Sequence, residues 1–251
     1  MGNLLLPSTI EYKDSTEPNK GTLTISPCYH GYGNTLGNSL RRVLLSSLPG
    51  AAVEGFKVKG VQHEFDTLKG VKEDVVQIML NLKQLSLKVH SEEPIVLTLT
   101  KKGAGPVVAG DIKKDSNVEI ADKDLVIANI TDSKTTLEME IIASKGRGFK
   151  PAEEKDRRDL DLGTMLIDSI YTPIRDVGYK VEFIRVGDIT NYEKLIIEIE
   201  TNGTINPREA VRQSTQILTD HFSLVMNEVG QEIEEIKEVK KETKKLDKEE
   251  K

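Results

Sequence analysis

A chain of 251 residues, 37% of them hydrophobic, is long enough for two modest domains or one large one, each with a real core. Its single cysteine, Cys28, excludes an internal disulfide framework and a cysteine zinc cluster, and it fits a reducing cytoplasm. A formal net charge of −6 argues against a sequence-independent grip on nucleic acid, which needs a basic surface, and points to proteins as partners.

The opening Met1-Gly2-Asn3-Leu4-Leu5-Leu6-Pro7 is too short for a secretory apolar region, and no later apolar run reaches the length that spans a bilayer. The expectation is a soluble cytoplasmic protein with no membrane contact. Residues 22–25 alternate β-branched and apolar side chains and predict a strand. The block Gly31-Tyr32-Gly33-Asn34-Thr35-Leu36-Gly37-Asn38-Ser39-Leu40-Arg41-Arg42-Val43-Leu44-Leu45-Ser46-Ser47-Leu48-Pro49-Gly50 then predicts a helix, capped by Asn34 or Thr35 and stopped by Pro49-Gly50. At about 100° per residue, Leu36, Leu40, Val43, Leu44 and Ser47 share one stripe, which calls for burial. Asn38, Arg42 and Leu45 cluster roughly opposite it. An apolar residue beside a five-donor cation on the far face implies a second contact, although a phase error of one residue would exchange Arg41 with Arg42.

Strand-forming residues resume over 51–61. Val71, Val75, Ile78, Met79 and Leu82 repeat at helical spacing behind the acidic Glu73 and Asp74, predicting a second amphipathic helix. Short alternating runs at 85–89, 95–100, 125–130 and 136–142 predict antiparallel sheet. The charged stretch 145–162 reads as an exposed loop, and strands return at 180–186 and 194–200. Asn206-Pro207-Arg208-Glu209 is a strong helix start, with Asn as cap and Pro at the first helical position. The helix behind it carries Val211, Ser214, Leu218, Phe222, Val225 and Val229 on one side, matching the stripe of the opening helix. With no other helix of matching length to cover either stripe, the two are expected to hold a homodimer together. Residues 231–251 are almost wholly Glu and Lys and are expected to be a fraying helix or disordered.

The chemistry-bearing motifs are sparse. Gly31, Gly33 and Gly37 have neither dinucleotide nor P-loop spacing, so they read as a tight turn into a helix. Asp159-x-Asp161-x-Gly163 lacks the further carboxylates of a calcium loop. His30, His63, His90 and His221 are scattered outside any metal spacing, and no nucleophile elbow is present. Gly146-Arg147-Gly148-Phe149 is a single basic copy beside Glu153 and Glu154, too little cationic density for RNA binding. The expectation is therefore no catalytic residue, no metal and no cofactor.

Residues 31–50 resemble the hallmark block of the bacterial RNA polymerase α subunit. The resemblance continues in order through Gly60-Val61-Gln62-His63-Glu64-Phe65, Gly70-Val71-Lys72-Glu73-Asp74-Val75, Asn81-Leu82-Lys83, Gly146-Arg147-Gly148-Phe149, Tyr171-x-Pro173 and Glu200-Thr201-Asn202-Gly203-Thr204-Ile205. It implies an α+β fold in which a discontinuous dimerisation domain, 1–49 and 172–230, is interrupted by an inserted mixed α/β domain, 50–171, with 231–251 as a charged tail. It further implies a non-catalytic homodimeric scaffold that nucleates assembly of β and β′. Leu36, Leu40, Val43, Leu44, Ser47, Val211, Leu218, Phe222 and Val225 would form the dimer interface. Asn38, Arg42 and Leu45 would dock β, and Lys83 would contact β′. Family members continue into a helical DNA-binding domain where this sequence has its Glu/Lys tail, so little or no direct DNA contact is expected. The archaeal and eukaryotic assembly subunits share part of the signature and are an alternative within the class. A stand-alone nucleotidyltransferase is an alternative outside it, and it lacks the clustered carboxylates that hold magnesium.

Overall fold

The buried apolar side chains sort into two separate cores. One is drawn from Ala51 to Ile167 and centres on Phe56, Ile78, Leu82, Leu99, Ile127 and Ile141. The other takes Leu23, Ile25, Leu40, Leu44 and Leu48 from the start of the chain and Val177, Leu195, Ile197, Ile199 and Ala210 from much later. The computed structural model describes residues 4–156 and 161–249.

The elements run β1 (Thr9–Asp14), β2 (Lys20–Cys28), α1 (Tyr32–Ser46), β3 (Pro49–Val58), α2 (Val75–Lys83), β4 (Leu87–Val89), β5 (Ile95–Lys102), β6 (Gly105–Val108), β7 (Val118–Ile120), β8 (Val126–Ile130), β9 (Thr136–Arg147), β10 (Phe149–Lys150), β11 (Met165–Leu166), β12 (Ser169–Ile170), β13 (Ile174–Val186), β14 (Ile189–Thr201) and α3 (Pro207–Glu249). The fold is α+β. One four-stranded sheet has the order β1-β2-β14-β13, the other β11-β3-β9-β5, and the pairings are antiparallel. In the first sheet Leu23 faces Ile197 and Ile25 faces Leu195, while Tyr179 and Val181 flank the same two residues from β13. Alternation places these side chains on one face, and α1 lies across it on β13 and β14 with α3 beside it. The two cores meet where β3 leaves α1 and where Tyr171 returns the chain to β13. There Gly50 and Gly146 give the backbone and ring of Tyr171 their room, because a Cβ at 146 would stand 2.7 Å from the ring.

Several expectations change. The opening helix starts two residues before Asn34, at Tyr32, with Gly31 as cap residue at φ 86° and no side-chain cap of its own. The second helix starts at Val75, capped by Asp74, whose Oδ1 accepts from Gln77 N–H at 2.7 Å; Val71 lies in the turn before it. β1, β6, β7, β11 and β12 were not expected, and β13 begins at Ile174 rather than 180. The stretch 145–162 is only partly an exposed loop. It opens as the end of β9 and as β10, and Lys155 within it is buried. Arg157, Arg158, Asp159 and Leu160 lie outside the described residues. The charged tail is continuous with α3 as far as Glu249.

Candidate functional site

α1 is held unusually close to its sheet because two of its contact positions have no side chain. A Cβ at Gly37 would meet the Tyr179 ring at 2.7 Å and Leu195 at 3.0 Å, and one at Gly33 would meet Glu193 Oε2 at 2.7 Å. The glycine spacing thus serves close helix–sheet packing as well as the turn at Gly31. Glu193, only 3% exposed, bridges the helix start. Its Oε1 accepts from Gly31 N–H at 2.8 Å and its Oε2 from Gly33 N–H at 2.9 Å, with His30 Nδ1 3.3 Å from Oε1. The first N–H groups of a helix have no intrahelical acceptor, and a carboxylate also suits the positive end of the helix dipole. Sequence reasoning missed Glu193. The available signal was its register: it shares the inward face of β14 with Leu195, Ile197 and Ile199, where a lone carboxylate demands a partner.

Ten residues on from Gly31, Arg41 Nε donates to the Val177 carbonyl on β13 at 3.0 Å. Arg42 and Asn38 are exposed, and neither side chain has a partner among the described residues. The structure therefore resolves the phase in favour of Arg42 outward. Leu45 sits on a flank rather than opposite the buried stripe, half-buried against the second core. The stripe itself divides. Leu40 and Leu44 are buried within the chain, Leu44 at 0% exposure, so they have no surface to offer a second copy; Leu36, Val43 and Ser47 are half-buried on one flank. Helical spacing reports that a face is covered, not by what, and here Leu40 and Leu44 are covered by the chain's own sheet.

α3 shows the same division along its length. Ser214 is fully buried, and Val211 and Leu218 are half-buried against the second core. Beyond them Phe222, Val225 and Val229 are 67%, 60% and 51% exposed, with Leu224 and Met226 exposed beside them. At about 100° per residue Phe222, Val225, Met226 and Val229 share one stripe of the helix, with Leu224 on the far side, and four exposed apolar side chains within about two turns are of the kind that marks an interface.

Lys83, at the end of α2, pairs with Asp168 at 3.0 Å, and Asp168 also accepts from Ala152 N–H at 3.0 Å. These bonds, led by that from Ala152, hold the Asp168 carboxyl below its usual range. Behind them, Lys155 donates to the carbonyls of Glu54, at 3.0 Å, and Ile167 and to Ser169 Oγ, both at 2.5 Å. Burial pushes the Lys155 ammonium down to about 8, against the opposing pull of the Glu54 carboxylate. Burial would raise Glu54 in turn, but the hydroxyls of Ser144, at 2.6 Å, and Tyr171, at 2.5 Å, with the nearby Lys155 charge, outweigh it and hold the carboxyl low. This satisfied polar cluster ties β3, β9 and the returning chain together, and no sequence signal marks Lys155 among its charged neighbours.

Among the described residues the remaining titratable groups converge on nothing reactive. His63 pairs with Asp66 and His90 with Glu119 at the surface. Among the described residues no three His, Cys, Asp or Glu side chains gather in metal-binding distance, and Cys28 is buried with its thiol pushed up by burial. An open cleft of about 800 Å³ between the start of α3 and the end of β9 contains Lys145, which is committed to the His90 carbonyl and Glu92. No helix of the described residues is long and apolar enough to cross a membrane. What the arrangement provides is surfaces: an exposed Arg42–Asn38 face on α1 and an apolar patch on α3.

Residues 55–172 match the family model described as the RNA polymerase Rpb3/RpoA insert domain. The chain is 52% identical over 220 residues to the DNA-directed RNA polymerase subunit alpha of Symbiobacterium thermophilum, covering 87% of this chain and 70% of that one. It is 51% identical over 216 residues to the subunit of the same name from Desulforamulus reducens, covering 86% and 68%. With that from Oceanobacillus iheyensis it shares 50% identity over 204 residues, covering 81% and 65%.

Proposed function

The chain belongs to the RNA polymerase α-subunit family, and from that premise we propose that it works as a non-catalytic homodimeric scaffold on which the β and β′ subunits assemble in the cytoplasm. The observation that carries the reading is the apolar stripe Phe222, Val225, Met226 and Val229 on α3, left uncovered within the chain, together with the half-buried flank Leu36, Val43 and Ser47 of α1. A second copy presents the same patch, so a two-fold axis covers both at once. In this reading Leu36, Val43, Ser47, Val211, Leu218, Phe222 and Val225 line the interface, while Leu40 and Leu44 support it from the core beneath.

Two further assignments follow the same premise. Asn38 and Arg42, with Leu45 at their flank, receive β on one protomer, since an outward guanidinium with no side-chain partner among the described residues is free to make directed bonds to a second protein. Lys83, paired with the half-exposed Asp168, marks the β′ contact on the other. Residues 1–49 and 172–230 act as the dimerisation unit and 50–171 as the insertion, a division supported by the two separate cores. Sedimentation of the purified chain at micromolar concentration, followed by co-expression with β and β′, tests the proposal. A dimer that captures β first and then β′ is the expected result, and a monomer, or a dimer that captures neither, overturns it.

A further inference from the structure

The face of α1 that lies on the sheet is small. Gly33 and Gly37 give close approach but contribute no side chains of their own at the N-terminal half of the helix, where Leu36 alone packs half-buried against the second core, so packing there offers limited resistance to rolling on the sheet. With a side-chain radius near 5–6 Å, a roll of about 20° moves a residue on the outer face by about 2 Å, far beyond the tolerance of a hydrogen bond. A directed polar contact at that end therefore adds a constraint on rotation that the sparse packing leaves loose.

We propose that Glu193 is the positioning residue of the β-docking helix: its carboxylate, held on the inward face of β14, sets where α1 starts and how it is rotated, so that Arg42 is presented outward. This rests on the docking role given above to Arg42. Four observations converge on it. Both Glu193 oxygens are spent on the helix start, one on Gly31 and one on Gly33, so the contact fixes a direction and not merely a distance. Gly33 carries no Cβ at the point where one would collide with Oε2. Gly31 takes the left-handed φ of 86° that turns its N–H toward the same carboxylate. Ten residues later the bond from Arg41 Nε to the Val177 carbonyl pins the helix to the neighbouring strand β13. Two anchors on two strands define the rotation, and Arg42, one residue past the second anchor, is the side chain they aim outward.

The requirement is for a carboxylate in particular. A glutamine at this position keeps the shape but offers one oxygen, and its amide nitrogen would face one of the two backbone N–H donors. Glu193→Gln therefore removes one anchor bond without opening a cavity, and it separates positioning from bulk stability.

The full chain is compared as wild type, Glu193→Gln, Glu193→Asp and Arg42→Ala, measuring oligomeric state by sedimentation, amide hydrogen exchange at Gly31 and Gly33, and affinity for co-purified β. Glu193→Gln should remain a dimer, exchange Gly31 and Gly33 at least tenfold faster, and bind β tenfold or more weakly, with Glu193→Asp falling between it and wild type. Unchanged exchange, or unchanged β affinity while Arg42→Ala loses β, overturns the positioning role alone. Wild-type β affinity in Arg42→Ala overturns the docking reading and the proposal with it. If Glu193→Gln does not fold, Gly33→Ala serves instead, since it retains the carboxylate but displaces it; wild-type β affinity in that variant would also overturn the proposal.

Discussion

Arg41 and Arg42 are adjacent in the chain and opposed in structure: the first donates its Nε to the Val177 carbonyl at 3.0 Å, and the second projects from α1 with no side-chain partner among the described residues. One arginine fastens the helix to its sheet and the other is left for a second protein. A turn of 100° between neighbours is enough to separate the roles.

Arg42→Ala should leave folding and dimerisation unchanged and reduce β capture in co-expression pull-down by the equivalent of about 2 kcal/mol or more, because an interfacial guanidinium combines directed bonds with a packed stem. Arg41→Ala should instead lower the melting temperature, since it leaves the Val177 carbonyl without its side-chain donor. Equal β capture by wild type and Arg42→Ala would contradict the assignment.

Replacing Phe222 and Val225 together by Asp should convert the dimer to a monomer in sedimentation at micromolar concentration. Both side chains are largely exposed within one chain, so no internal cavity is created. Circular dichroism should show the helical and strand content retained. A double variant that still sediments as a dimer would place the interface elsewhere.

Leu44→Ala should behave differently. Its side chain is wholly buried against the sheet, and truncating a fully buried leucine costs about 2–5 kcal/mol through lost transfer energy and the cavity left behind. Denaturant unfolding should register that loss even under conditions where the chain remains dimeric. A loss below about 1 kcal/mol would mean that α1 does not pack as described.

Lys155 makes stability depend on alkaline pH. Its folded pKa, about 8, lies below the ordinary 10.5, so between those values the unfolded chain holds a proton that the folded chain has released. The contribution of this group to stability therefore rises with pH across that window and is unfavourable and constant below it. Lys155→Met should lack this rise. It should also be less stable at neutral pH, because the Glu54 and Ile167 carbonyls and Ser169 lose their shared donor. Parallel pH–stability curves for the two proteins from pH 7.5 to 10.5 would show that the lysine is not titrating as stated.

Much of the architecture was legible from local chemistry. Helical spacing marked α1 and α3, and Asn206-Pro207 announced the start of α3, because caps and periodicity are properties of a few consecutive residues. The ordered blocks from Gly31 to Ile205 also identified the family. What local chemistry could not supply was the identity of each partner. It could not tell that Leu40 and Leu44 are covered by their own sheet while Phe222 and Val225 are not, that Arg41 rather than Arg42 bonds to the sheet, or that Lys155 leaves a charged stretch for a buried site. Nor could it show that the cap of α1 comes from Glu193, 160 residues beyond Gly33 in the chain. Periodicity states that a face is buried, whereas the surface that buries it, and the carboxylate or carbonyl that meets a donor there, is decided only when distant strands pair and bring their side chains into register.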